Sequence, residues 1–110
     1  MKRDMRLLRL IVLERDTGGY TAEAVGYHVF MLGEARLARV IETTQLSQSP
    51  QAVLVALTQE GHDFADRASS DDAWDYATDL IARVGGRAPF EVWQEALKSW
   101  AIRQYQGGRY

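Results

Sequence analysis

The chain contains no cysteine, only two prolines, no excess of positive charge and no apolar run long enough to cross a bilayer. Without cysteine there is neither a disulfide framework nor a thiolate metal site, which is compatible with a reducing, cytosolic setting. Thirteen Lys and Arg residues stand against 15 Asp and Glu, giving a net charge of −2; a dedicated nucleic-acid binder usually carries a basic excess or stripe. The stretch "LLRLIVL" is interrupted by Arg9 and closed by Glu14, Arg15 and Asp16. It is too short to span a membrane, and it lacks the small residues that follow the apolar stretch of a secretory leader. It reads as a buried helix, and no membrane partner is expected.

What is present is an ordinary globular composition, 46% hydrophobic and 25% charged over 110 residues, the size of one small domain. Such a chain buries roughly two thirds of its unfolded surface, enough for one core. No internal repeat stands out. The charges are segregated. Glu60, Asp63, Asp66, Asp71, Asp72, Asp75 and Asp79 face only Arg67 within their segment, whereas Arg83, Arg87, Lys98, Arg103 and Arg109 dominate the tail over Glu91 and Glu95.

Periodicity predicts the elements. A first helix is expected over residues 4–16, burying Met5, Leu8, Ile11 and Val12. Lys2, Arg6 and Arg9 recur on it as a short basic stripe. "TGGY" breaks the chain, and Thr21 is placed to cap a second helix, with Glu23 favourable near its positive end. At about 100° per residue this helix turns Val25, Val29 and Leu32 to the core, flanked by His28 and Ala35, and sends Gly26, Tyr27, Phe30, Met31 and Glu34 to the opposite side. "RVIET" (residues 39–43) and "AVLVAL" (residues 52–57) read as two strands joined by the polar loop "TQLSQSPQ", a hairpin with a wing-like loop. Thr58 caps a helix over "QEGHDFADRA", and "SSDD" starts another with Trp74, Ala77, Ile81 and Val84 buried. Gly85-Gly86 ends that helix, and Pro89 opens a last one with Phe90, Trp93, Leu97, Trp100 and Ala101 along one side. The expected fold is mainly α with a small β-hairpin (α+β), a winged-helix-like core in a single domain over residues 1–110, with 71–106 as a C-terminal helical extension.

Several stretches together resemble the family named domain of unknown function 2513. They are "KRDM" (Lys2 to Met5), "YH" (Tyr27-His28), "LTQEGHDF" (Leu57 to Phe64), "DDAW" (Asp71 to Trp74), "GG" at Gly85-Gly86 and "PFEV" (Pro89 to Val92). "LTxEGHxF" followed by "DDxxW" is the specific part. The resemblance implies a winged-helix-like fold and frequent residence in phages and prophages, and it implies no activity. Gln59 stands where the family usually has Trp, Phe30 where a polar or basic residue is common, and Arg36 where Gly usually precedes the first strand.

No catalytic constellation emerges. There is no nucleophile elbow and no phosphate-binding loop, so no enzymatic activity, cofactor or small-molecule substrate is expected. His62 and Asp66 share a helical face at i, i+4, with Asp63 beside them. A zinc site needs a third ligand, and the other histidine, His28, fits better as a satisfied histidine beside the core. The carboxylates Asp71, Asp72, Asp75 and Asp79 lack the glycine turn of a calcium loop and read as a solvated face.

The second helix, which would enter a DNA groove in a winged-helix reader, offers no Arg, Lys, Asn or Gln at its outward positions, and the loop offers no cation; bases and phosphates are recognised through such groups. Aromatic residues and methionine suit a protein interface instead. Tyr27, Phe30, Met31 and Glu34 are therefore the expected protein-binding residues, with another protein or a second copy as partner, while Gly26 and Gly33 would allow close approach beside Phe30. The alternative is a DNA-binding regulator recruiting Lys2, Arg6, Arg9, Arg36 and Arg39.

Overall fold

The protein is described by a computed structural model covering residues 2–46 and 48–107. The described residues form five helices and one two-stranded antiparallel sheet, in the order helix, helix, hairpin, helix, helix, helix. The chain divides into two compact units, Met1–Ala65 and Asp66–Tyr110.

In the first unit, α1 (Met5–Val12) starts where Asp4 Oδ1 accepts the Arg6 and Leu7 amides at 2.9 and 3.4 Å. Met5, Leu7, Leu8, Ile11 and Val12 are buried, each such side chain contributing about 1.5–3 kcal/mol. The helix is shorter than its periodicity suggests. Glu14 takes a left-handed φ of 56°, its amide bonds Ile11 O at 3.1 Å, and the Arg15 amide bonds Leu10 O at 2.8 Å. This crossed pair of bonds closes a helix end, so Glu14, Arg15 and Asp16 fall in the following turn.

The second helix, α2 (Ala22–Glu34), is capped by Thr21 Oγ1, which accepts the Ala24 amide at 3.0 Å. It ends in the same way as α1: Arg36 sits at φ 62°, its amide bonds Gly33 O, and the Leu37 amide bonds Leu32 O, both at 3.0 Å. His28, Val29 and Leu32 are buried and Val25 is half-buried, whereas Ala35 is exposed.

Strand β1 (Ala38–Glu42) pairs with β2 (Ala52–Leu57), Val40 opposite Leu54 and Ile41 opposite Val53. Arg39 lies opposite Ala56, so the register skips Val55, which forms a bulge and bends the strand locally. The inner face, with Ala38 and Ala52 buried, packs on α2, which also packs on α1. α3 (Gln59–Ala68) follows at once and fully buries Phe64.

In the second unit, α4 (Asp71–Ala82) is capped by Ser70 Oγ on the Ala73 amide at 3.1 Å, with Asp71 and Asp72 in its first turn. Ala73, Trp74, Ala77 and Ile81 are buried. Val84, expected in the same stripe, is exposed because the helix ends at Ala82 and the chain turns through Gly85 and Gly86 at φ 101° and 80°. α5 (Phe90–Gly107) packs on α4. Trp93, Ala96 and Leu97 are buried, Phe90 and Trp100 are half-buried, and Ala101 is exposed. The Trp74 and Trp93 rings stack at 5.1 Å, an arrangement that adds to their area burial. No helix among the described residues is long and apolar enough to cross a membrane.

Candidate functional site

The expected protein-binding residues lie on α2, but not on an open face. Tyr27, Phe30 and Met31 are half-buried and Glu34 is exposed. The two glycines flanking Phe30 do permit close approach, and the hairpin of the same chain uses it. A Cβ on Gly33 would stand 2.6 Å from Val40 Cγ2, and one on Gly26 would collide with Gln51 Oε1. Gln51 in turn ties the loop to the start of α2. Its Nε2 donates to Glu23 O at 2.9 Å, and Ser49 Oγ donates to Glu23 Oε1 at 3.0 Å. Thr44 Oγ1 closes the loop by accepting the Gln51 amide at 2.9 Å. The loop is thus anchored at its base, with Leu46 fully exposed beyond it.

The opposite side of the hairpin is open. Ile41, Val53 and Val55 are 62%, 55% and 54% exposed, beside exposed Arg39. Half-solvated antiparallel sheets alternate apolar and polar residues, whereas strands covered on both faces read as unbroken apolar runs. "AVLVAL" is of the second kind, yet only one of its faces is occupied within this unit. Sequence reading passed over this patch, although the signal was there: once Leu54 faces the helix, Val53 and Val55 must face away.

The basic residues of the alternative reading are spread over three elements. Lys2 precedes α1, Arg6 and Arg9 ride on it, Arg36 closes α2 and Arg39 projects from β1. Arg9 is half-buried and the other four are exposed. Glu34 and Glu42 lie exposed close in sequence to Arg36 and Arg39, and the described loop residues add no cation.

His28 is 99% buried and both ring nitrogens are engaged. Nδ1–H donates to Ala24 O at 2.7 Å and Nε2 accepts the Asp4 amide at 2.8 Å. Together these bonds define the neutral Nδ1–H tautomer and join the cap of α1 to the middle of α2. The ring is not available to a metal. His62 is exposed, and no group of three His, Asp or Glu side chains among the described residues is placed to hold a metal ion. Two tyrosines have shifted ionisation. Burial, then the charge of Asp4, raises the Tyr20 phenol above 10.0. Hydrogen bonds from Ser99 and Arg103 lower that of Tyr76, where Arg103 Nη1 donates to the phenol oxygen at 3.0 Å and the guanidinium lies 5.5 Å from the ring centre.

A family model described as Hypothetical protein (DUF2513) matches residues 2–87. The chain belongs to the DUF2513 family. No curated protein and no solved structure matches it. The match ends before α5, so "PFEV" lies beyond it, as does Trp93.

The other stretches that carry the resemblance can be assigned physical tasks in this fold. Asp4 of "KRDM" caps α1 and holds His28 of "YH" through its amide. In "LTQEGHDF", Thr58 makes a three-way knot: its amide donates to Leu37 O at 2.9 Å, its hydroxyl donates to Arg36 O at 2.8 Å, and the same oxygen accepts the Gly61 amide at 3.1 Å. Gly61 lies directly against Leu37 O, where a Cβ would collide with backbone. Phe64 fills the core. In "DDAW" the aspartates sit at the positive end of α4 and Trp74 stacks on Trp93, while "GG" supplies the left-handed turn. These stretches fasten the fold, and none of them includes Ile41, Val53 or Val55 of the exposed hairpin face.

Proposed function

We propose that this DUF2513 protein is a non-catalytic, winged-helix-like binding module of the cytoplasm that acts through protein contacts, as a regulator or inhibitor in a phage or prophage setting. The setting rests on the family resemblance. The binding mode rests on one observation: the hairpin turns Ile41, Val53 and Val55 to solvent while its described loop residues carry no cation. With Arg39 as its neighbouring cation, such a surface offers a polyanion little, whereas an apolar, β-branched patch beside an arginine suits a protein interface. Tyr27, Phe30 and Met31, on the helix that packs on the hairpin, contribute their half-exposed edges.

Affinity capture from the host, comparing the native protein with Ile41→Lys and Phe30→Ala variants, tests the proposal. The expected result is a discrete protein partner held by native protein through high salt and lost with Ile41→Lys. Recovery of nucleic acid alone, equally with all three proteins, would favour the DNA-binding reading through Lys2, Arg6, Arg9, Arg36 and Arg39.

A further inference from the structure

Among the described residues, His28 is the one buried ionisable side chain, 1% exposed. Its two nitrogens hold unlike partners. Nδ1–H donates to Ala24 O at 2.7 Å, within α2 itself. Nε2 accepts the Asp4 amide at 2.8 Å, and that bond crosses from α2 to the cap of α1. A neutral imidazole serves both partners, because it has one donor and one acceptor. An imidazolium has two donors. Its Nε2–H would stand against the Asp4 N–H, donor against donor, and the ring would be a buried charge without a counter-ion.

We propose that His28 is an acid-sensitive latch: a proton on Nε2 turns the acceptor into a donor, expels the Asp4 amide and unfastens the N-terminal turn of α1 from α2. The surroundings offer the imidazolium no ready compensation. Tyr27 meets the ring edge-on at 5.7 Å. The charged side chains of the elements packed on α2 are Arg6 and Arg9 on α1 and Arg39 and Glu42 on β1, and β2 carries none. Arg6, Arg39 and Glu42 are exposed and Arg9 is half-buried; on α2 itself Glu23 and Glu34 are exposed. The Asp4 carboxylate is the anion at this junction, but its Oδ1 accepts the Arg6 and Leu7 amides and the Tyr20 phenol bonds the same group. Turning that carboxylate to the imidazolium would give up the cap of α1, which opens the same junction.

The latch has a definite sign and window. An imidazole free in the opened chain takes its proton near pH ~6.5, whereas the latched ring has no place for one. The opened state therefore binds more protons below that pH, and stability falls as pH falls. With one proton taken up on opening, the equilibrium should shift toward the opened state by about 25-fold between pH 7 and pH 5. Carboxylates titrate mostly below this window, and the chain has two histidines, so one substitution isolates the effect. Urea unfolding of the His62→Gln protein, in which His28 is the remaining histidine, should show the full loss of stability. His28→Gln keeps an amide oxygen able to accept the Asp4 amide but no titrating group, and its stability should stay level from pH 7 to pH 5. Hydrogen exchange gives the local readout: protection of the Asp4 amide, corrected for the intrinsic rate, should fall with pH in the His62→Gln protein. If His28→Gln does not fold, the His62→Gln protein and its Asp4 amide decide the matter. Level stability in His62→Gln, an undiminished fall in His28→Gln, or Asp4 protection indifferent to pH would each overturn the proposal.

Discussion

At the scale of single residues, Arg36 at the junction between α2 and β1 and Gly61 of α3, which lies against that junction, make opposite demands on the backbone. Arg36 is a non-glycine held at φ 62°, a conformation that costs an L-residue roughly 1–2 kcal/mol. Glycine has no such penalty there, so Arg36→Gly should raise stability by about 1 kcal/mol in urea titrations, with the slope unchanged. Gly61 is the converse. Its φ is not left-handed, but the Leu37 carbonyl occupies the space a methyl group would need. Because that obstacle is backbone, already bonded to the Thr58 amide, it cannot step aside as a side chain would. Gly61→Ala should therefore destabilise the protein by about 3 kcal/mol, despite the gain in helix propensity that alanine brings elsewhere. A neutral result for Gly61→Ala would mean that α3 does not lie against the end of the α2 turn. The histidines divide in a related way: His28 is locked between two backbone groups, whereas His62, inside the most specific motif, is exposed.

At the scale of elements, the α4–α5 pair carries a polar latch that titration can read. Hydrogen bonds from Ser99 and Arg103 favour the Tyr76 phenolate, so its folded pKa lies below the ordinary 10.0. A group of this kind contributes stability that grows as pH rises through the folded pKa. Tyr20, raised above 10.0 by burial and by Asp4, contributes stability that is present below 10 and lost as pH climbs through its folded pKa. Absorbance titration should find Tyr76 among the first tyrosines to ionise, and Arg103→Ala should move that step upward; a step that does not move would dissociate Arg103 from the phenol. The elements themselves were largely legible in the sequence. The hairpin, α3 and the Ser70 cap of α4 follow from alternation, Thr58 and "SSDD". The periodicity of the first helix runs past its real end because a left-handed glutamate gives no glycine signal there. The outward face of α2 is apolar nearly all round, the pattern of a helix covered on more than one side, and its sequence fits a cover from the chain's own C-terminal helices as well as one from a partner. Its second cover, the hairpin, was visible only in the Gly26–Gln51 and Gly33–Val40 contacts.

At the scale of the whole molecule, charge separates the two candidate functions. The net charge is −2, and acidic side chains on α4 (Asp71, Asp72, Asp75 and Asp79) are all exposed. The DNA-binding alternative relies on Lys2, Arg6, Arg9, Arg36 and Arg39, drawn from the N-terminal segment, α1, the end of α2 and β1. Each phosphate neutralised steepens the fall of affinity with salt by roughly 0.9 in logarithmic slope. A reader using all of these would lose most of its affinity between low and physiological ionic strength. It would also need base-specific contacts from α2 to retain the rest, and Tyr27, Phe30 and Met31 are instead half-buried. Fluorescence anisotropy with mixed-sequence duplexes should therefore find binding no tighter than the non-specific range, about 10⁻⁴–10⁻⁶ M at physiological salt, with Arg36→Ala and Arg39→Ala shifting it little. Affinity a thousandfold tighter, weakened by Arg36→Ala and steeply dependent on salt, would place the function in the basic residues and leave the valines of the hairpin as its unexplained feature.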